Sequence, residues 1–264
     1  MKDYIETNRN SWNAKVEPHL KSDFYFVEEF LKGKTSLNSI ELDLLGDIQD
    51  KEILHLQCHF GQDSISLSRL GAKVTAMDFS EKAIEAAKDL TQKCKTDTQF
   101  ICTDVYNLPN VLDKKFDIIY TSYGVIGWLP DLQKWAKIIS DFLKPGGKLV
   151  FVEFHPFIWM YDDDFKEVKY HYFNQNAIVE TEEGTYADKT AAIVQNYVMW
   201  NHPTSEVLNS LIQNGLQINR FDEYNYSPYS CFNTIEKLED RKFIISQFGQ
   251  KIPYVFSVLA TKKP

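Results

Sequence analysis

The sequence predicts an α/β protein built on a doubly wound parallel sheet. Two observations carry that reading. From Ile53 onward, short apolar runs alternate with stretches whose apolar residues recur at helical spacing, the rhythm of βαβ units with right-handed crossovers. Within that rhythm, residues 51–80 read as half of a nucleotide-binding unit. An apolar strand (Ile53, Leu54, Leu56) meets a tight turn around Gly61, a short helix ends at Gly71, and a second strand ends on Asp78.

Residues 1–50 show no strand alternation. Tyr4, Ile5, Trp12 and Val16 fit one face of a short helix, Phe24 to Leu31 a second, and Ile40, Leu44 and Leu45 a third. This helical segment either packs on a sheet edge or serves as a lid. Strands are expected at residues 53–58, 73–78, 98–102, 116–122 and 148–154. Ser80 can cap the helix carrying Ala83, Ile84, Ala87 and Leu90, with Glu81 in its first turn. Asp131 can cap the next, whose apolar face is Leu132, Trp135, Ile139 and Phe142, and Pro145-Gly146-Gly147 stops it. The run at 148–154 is apolar on both faces, as a buried parallel strand requires.

The rhythm breaks at His155. Residues 157–200 hold ten aromatics and alternating segments around 166–173, 177–182 and 192–199, with a turn at Glu183-Gly184. This reads as an antiparallel insertion over the sheet edge. Thr204 or Ser205 then caps a helix bearing Val207, Leu208, Leu211 and Ile212, and strands follow at 216–221 and 254–261. The expected organisation is one domain over 1–264. It has a helical N-terminal segment (1–50), a ligand-binding core (51–156 and 204–264) and a substrate cap (157–203).

Composition is that of a soluble globular chain, 44% hydrophobic and 25% charged. A net charge of −8 speaks against a nucleic-acid partner, which needs phosphate neutralisation by Lys and Arg. Cys58, Cys94, Cys102 and Cys231 form no C-x-x-C pair, the N-terminus lacks an apolar signal core, and no apolar run spans a bilayer. The expectation is a cytoplasmic protein with no membrane association.

Gly61 suits a close backbone approach or a positive φ, although a plain turn uses glycine too. Asp78 stands where a ribose-binding acid stands in nucleotide folds; the plain alternative is a helix cap one step early. Asp104 repeats the pattern after the third strand, where a carboxylate can accept from an exocyclic amine. Polar residues at three strand ends on one sheet edge argue better than any one of them.

The order LHLQCHFGQD, VTAMDFS, CTDV, FDIIYTSYGVIGWL and LKPGGKLVFVE resembles the class I S-adenosylmethionine-dependent methyltransferases. The resemblance covers about residues 50–155, and the closing helix and two strands match the same fold. It implies a Rossmann-like seven-stranded sheet with the last strand antiparallel, and an enzyme using S-adenosylmethionine laid across the first strand ends. Carried over residue by residue, Gln57, Cys58, His59 and Gly61 form the turn against the methionine part. Asp78 takes the ribose hydroxyls, Phe79 lines the adenine, Asp104 meets the adenine amine and Val105 offers backbone. Ser80 and Thr103 flank these contacts, Trp12 closes from the N-terminal segment, and Thr121, Ser122 and Tyr123 face the methionine end and the substrate.

The departure lies in the first turn, where the family usually has glycine at 57 and 59. A side chain at 57 means the turn meets the cofactor less closely or by another face. His59 then either bonds the methionine carboxylate or fills space. His55, Cys58 and His59 do not make a zinc site, because 55 and 58 project to different faces of a strand. A dehydrogenase would want the three-glycine fingerprint, and no Tyr-x-x-x-Lys pair occurs. For an acceptor carrying a proton, His155 is the first candidate base and Tyr123 the second. The expected acceptor is a small molecule beneath the aromatic insertion. The alternatives are methylation of RNA or protein, and a non-catalytic binding domain that dimerises through its insertion.

Overall fold

The computed structural model describes residues 4–263. Three helices, α1 (Tyr4–Lys21), α2 (Val27–Leu31) and α3 (Ser39–Leu45), lead into the sheet. Its parallel strands are β1 (Glu52–Leu56), β2 (Lys73–Asp78), β3 (Gln99–Cys102), β4 (Phe116–Ser122) and β5 (Leu143–Phe154). Between them run α4 (Gln62–Arg69), α5 (Glu81–Cys94) and α6 (Leu132–Phe142). A hairpin follows, β6 (Ile178–Glu183) with β7 (Val194–Met199), then α7 (Thr204–Gln213) and β8 (Leu216–Tyr224). A second hairpin, β9 (Ile235–Glu239) with β10 (Lys242–Ile245), precedes β11 (Val255–Lys262).

The sheet has seven strands in the order β3-β2-β1-β4-β5-β11-β8. The last strand, β11, is antiparallel to both of its neighbours, as expected. β5 shows why its sequence is apolar throughout. Leu149 and Phe151 pack with Trp135 and Phe142 of α6, while Val150, Val152 and Phe154 pack on the opposite side with Leu44 and Leu45 of α3. A strand covered on both faces cannot alternate polar and apolar residues.

Local chemistry sets the helix starts. Ser80 Oγ accepts from the Ala83 amide at 3.1 Å and opens α5; Asp131 Oδ1 accepts from the Lys134 amide at 2.9 Å and opens α6. The cap expected from Thr204 or Ser205 is corrected. Pro203 holds the cap position with φ −62° and ψ 148°, and Thr204 is already helical. The Thr204 hydroxyl is engaged instead with the Tyr172 hydroxyl at 3.2 Å.

The insertion holds one true hairpin, paired from Ile178–Met199 to Glu183–Val194. The alternating run at 166–173 forms no strand; it contributes one isolated bridge, Tyr161 to Val168. The β9–β10 hairpin lies in a segment that the sequence assigned to the core. Its turn is built on Arg241 at φ 54° and contains no glycine, so it gave no breaker signal.

α1 is clamped on two sides. Asn8 Nδ2 donates to the Val198 carbonyl and the Val198 amide donates to Asn8 Oδ1, both at 2.8 Å. Lys15, 3% exposed, pairs with Glu182 at 3.0 Å. On the other side Ser80 Oγ donates to Asn13 Oδ1 at 2.6 Å. Asn8 is buried and completes the edge of β7, so Asn8→Ala orphans a strand amide and a carbonyl. It should lower unfolding stability in urea by about 1–3 kcal/mol.

Candidate active site

Parallel strands end with amides that the next loop must satisfy. Three carboxylates, Asp78, Asp104 and Glu153, do this along the carboxyl edge of the sheet, and a fourth, Asp63, binds hydroxyls there. Asp78 Oδ2 accepts from the His59 amide at 2.8 Å and its Oδ1 from the Ser80 amide at 2.9 Å. Asp104 Oδ1 accepts from Tyr106 and Asn107, at 2.9 and 3.1 Å. Glu153 accepts from Gly124, from Val125 at 2.8 Å, from Ile126 at 3.1 Å and from Phe154 at 2.7 Å. Asp63, in the first turn of α4, accepts from the hydroxyls of Tyr120 and Ser122, each at 3.2 Å. Burial pushes Asp78 up to about 6 against the pull of the Ser80 and His59 amides, and pushes Glu153 up as well.

Above this edge lies a cavity of about 1020 Å³. Its floor includes Gln57, Cys58, His59, Gly61, Asp63 and Asp78; its walls include Trp12, Tyr25, Phe79, Ser122, Tyr123, Trp128, Phe154 and Tyr229, and the hairpin closes it with Glu182 and Tyr197. A narrow groove of about 40 Å³ leads off between α1 and the ends of β2 and β3. Gln57, Phe79, Thr103, Asp104 and Val105 line it, but Tyr4, Ile5 and Asn8 of α1 fill it, leaving room for only a few waters.

The turn after β1 is built unusually. Gln57, His59 and Gly61 all have positive φ, at 54°, 50° and 80°. The chain thus keeps a glycine-like path with side chains present at 57 and 59, at a cost of about 1–2 kcal/mol each. At Gly61 a Cβ would lie 2.7 Å from the Phe100 ring, so this position tolerates only glycine. Gln57 Nε2 donates to the Val125 carbonyl at 2.9 Å, and His59 Nε2 lies 3.0 Å from His19 Nδ1. Burial lowers both imidazoles, His19 to about 3, so the pair is neutral near pH 7. Cys58 is buried, and burial raises its thiol far above the ordinary range.

The remaining expected residues divide. Trp12, edge-on to His59 at 5.1 Å and Trp128 at 5.3 Å, lines the cavity. Ser122 and Tyr123 line it too. Ser80 and Thr121 do not, since Ser80 serves as a helix cap and Thr121 Oγ1 donates to the Leu56 carbonyl at 3.3 Å. His155 is a correction. Its Nε2 meets Glu223 at 2.9 Å, its Nδ1 accepts from the Phe157 amide at 3.2 Å, and its ring faces Phe256. Both ring nitrogens are thus used, and His155 is not among the residues lining the cavity.

Several residues of the site were not singled out in the sequence. Glu41, in α3, accepts from the Tyr123 hydroxyl at 3.1 Å and is pushed up to about 7 by burial, with Asp63 adding to the shift. Lys15 lies 5.1–5.7 Å from the ring centres of Trp12, Trp128 and Tyr197. Only Glu153 had a sequence signal, a lone carboxylate in the apolar run LVFVEF.

A family model described as "Methyltransferase domain" matches residues 54–151, the segment that builds this edge. Residues 54–151 thus carry a methyltransferase domain. An uncharacterized protein of Haemophilus influenzae is 27% identical, the match covering 86% of this chain and 99% of that protein. A ubiquinone biosynthesis O-methyltransferase of Coxiella burnetii is 34% identical over 39% of this chain and 44% of its own length. Among solved structures, a putative S-adenosylmethionine-dependent methyltransferase from Listeria monocytogenes shares the fold at TM-score 0.57 and 18% identity, covering 85% of this chain and 95% of that one.

The cofactor expected from the sequence is S-adenosylmethionine. The residues present suit it. Asp78 has lone pairs beyond the two that its amides use, and Gln57 Oε1 and His59 Nδ1 are buried polar atoms without a partner. Among the described residues no cluster of three or more His, Cys, Asp or Glu side chains could hold a metal ion, and no helix is long and apolar enough to cross a membrane.

Glu41 gives a pH test. Its folded pKa lies above the ordinary value of 4.5, so its contribution to stability is fully present below that value and is lost as pH rises through about 7. Glu41→Gln removes that loss. Measured by denaturation, the variant should gain on the wild type by up to ~3 kcal/mol between about pH 5 and about pH 8.

Proposed function

We propose that the chain transfers the methyl group of S-adenosylmethionine to a small-molecule acceptor by in-line displacement. The observation that carries this reading is the large aromatic-walled cavity, which adjoins the turn after β1 and is roofed by α1 and the β6–β7 hairpin. A site of this size and lining suits an organic molecule, and the Coxiella relative named as an O-methyltransferase of ubiquinone biosynthesis supports that class. Aspartates and glutamates on the wall, among them Asp63, Asp162, Glu180 and Glu182, disfavour a polyanion.

When bound, S-adenosylmethionine supplies an activated methyl on a sulfonium. Asp78 and Phe79 would hold its ribose and adenine, with Thr103, Asp104 and Val105 along the groove. The chain's own work is positioning and exclusion of water. Trp12 and Trp128 present ring faces that favour positive charge, as their contacts with Lys15 already show. In this reading Tyr123, which lines the cavity, takes a proton from an acceptor hydroxyl or amine. Its phenol donates to Glu41, so a proton received at the Tyr123 oxygen is matched by one passed to the Glu41 carboxylate. The high Glu41 pKa suits that task near neutral pH.

Calorimetric titration with S-adenosylmethionine, S-adenosylhomocysteine and NAD tests the first part. The two adenosyl ligands should bind and NAD should not; failure of both adenosyl ligands would sink the reading. Asp78→Ala should weaken S-adenosylhomocysteine binding by about 1–3 kcal/mol in a folded variant. A panel of small aromatic hydroxy and amino compounds, followed by release of S-adenosylhomocysteine, tests the second part. Glu41→Gln and Tyr123→Phe should slow turnover with the best acceptor by about 10²–10⁴-fold while leaving S-adenosylhomocysteine affinity near that of the wild type.

A further inference from the structure

The main cavity has a polar recess where His55 of β1 and Tyr120 of β4, paired in register, meet the first turn of α4. Asp63 of that turn uses only half of its carboxylate on the protein. Tyr120 and Ser122 both donate to Oδ2, each at 3.2 Å, and Oδ1 accepts from no described residue. Asp63 is half-buried and lines the cavity, and Oδ1 is accessible there. Among the described residues no Lys or Arg pairs with it. Arg241, which also lines the cavity, commits its guanidinium to the carbonyls of Thr35, Ser36 and Leu37 and to Asn38 Oδ1.

His55 offers a second open atom. It is 3% exposed, its Nδ1 meets Ser64 Oγ at 2.7 Å, and its Nε2 has no partner among the described residues. It lines the same cavity. Burial lowers the imidazole to about 4 although Asp63 pulls it upward, so the ring is neutral near pH 7 and gives Asp63 no counter-charge. When Nδ1–H donates to Ser64, Nε2 presents a lone pair. The charge on Asp63 also reaches its neighbours: after burial itself, it adds to the upward shift of Glu41, Tyr120 and Tyr229. Tyr123 and Tyr229, with ring centres 4.9 Å apart, wall the cavity.

A carboxylate without a counter-ion, a neutral acceptor nitrogen and aromatic walls suit an ammonium group, which brings several N–H donors and one positive charge. A neutral hydroxyl could satisfy one acceptor but would leave the charge unmatched. Carboxylates also outnumber Lys and Arg along the rest of the lining, so the field of the cavity favours a cation. We infer that Asp63 Oδ1 and His55 Nε2 hold a protonated amine of the methyl acceptor, which makes the substrates cationic small molecules. The inference rests on the methyltransferase reading and deepens it by naming the substrate class. The amine serves as the anchor, whichever atom receives the methyl. The other ammonium available is the cofactor's own, and the experiment separates the two.

The test uses matched pairs that differ in the amine: tyramine with para-ethylphenol, tryptamine with skatole, and putrescine with the corresponding diol. Each is titrated by calorimetry into protein saturated with S-adenosylhomocysteine. At least one amine should bind the wild type about tenfold or more tightly than its neutral partner. Asp63→Asn, which keeps an oxygen for Tyr120 and Ser122, should bring that preference within about twofold while S-adenosylhomocysteine affinity and Tm stay near those of the wild type. His55→Leu should also lower the preference, and His55→Gln, whose Oε1 can accept, should restore part of it. A wild type with no amine preference in any pair would overturn the inference without recourse to a variant. So would a preference that survives Asp63→Asn, or a loss of S-adenosylhomocysteine affinity in that variant, which would give Asp63 to the cofactor's ammonium. A wild type that does not bind S-adenosylhomocysteine would instead overturn the methyltransferase reading itself.

Discussion

The structure depends on how the carboxyl edge of a parallel sheet is closed. Each strand there ends with amides that have no partner in the sheet, and burying them unpaired would be costly. Asp78, Asp104 and Glu153 answer this by accepting backbone N–H groups from the loops that leave the edge. The same bonds shape the site. Asp78 ties the turn after β1 to the start of α5, so the strained His59 is held from below by a buried carboxylate. Glu153 folds residues 124–126 into a tight arc, and that arc supplies the Val125 carbonyl that orients Gln57.

Over this edge the N-terminal helix and the inserted hairpin act as one roof. Reciprocal bonds between Asn8 and Val198 and the pairing of buried Lys15 with half-buried Glu182 join them. A buried ion pair adds little net stability by itself, but removing one partner strands the other, so the pair fixes the register of helix on hairpin. Lys15 also sits among Trp12, Trp128 and Tyr197, where an aromatic box compensates part of its lost hydration. At its first turns α1 packs Tyr4, Ile5 and Asn8 into the groove beside Asp104.

The two side chains that the sequence offered as proton carriers end in different surroundings. His155 looked suitable because it ends β5 beside the ligand edge, yet its ring meets Phe256 and Glu223. Tyr123, one residue beyond β4 and at φ 47°, does project into the cavity, and its partner Glu41 comes from α3, far away in sequence. No spacing rule links positions 41 and 123, which is why the pair was invisible in the chain.

The sequence by itself determined the αβ order, the limits of most core strands, the antiparallel last strand implied by the family resemblance, and the methyltransferase family. These follow from short-range signals: apolar periodicity, Ser80 and Asp131 as caps, and the motif order from LHLQCHFGQD to LKPGGKLVFVE. It also exposed the anomaly at Gln57 and His59, because a missing glycine is plain in a string of letters. Tertiary structure alone decided what those side chains meet. The orphaned Oε1 and Nδ1 exist only because Val125 and His19, far along the chain in either direction, occupy the other ends of the same side chains. The Asn8 clasp and the Glu41–Tyr123 pair were likewise settled by contacts between distant segments. Periodicity reports which face of an element is buried, but not which distant side chain meets it there.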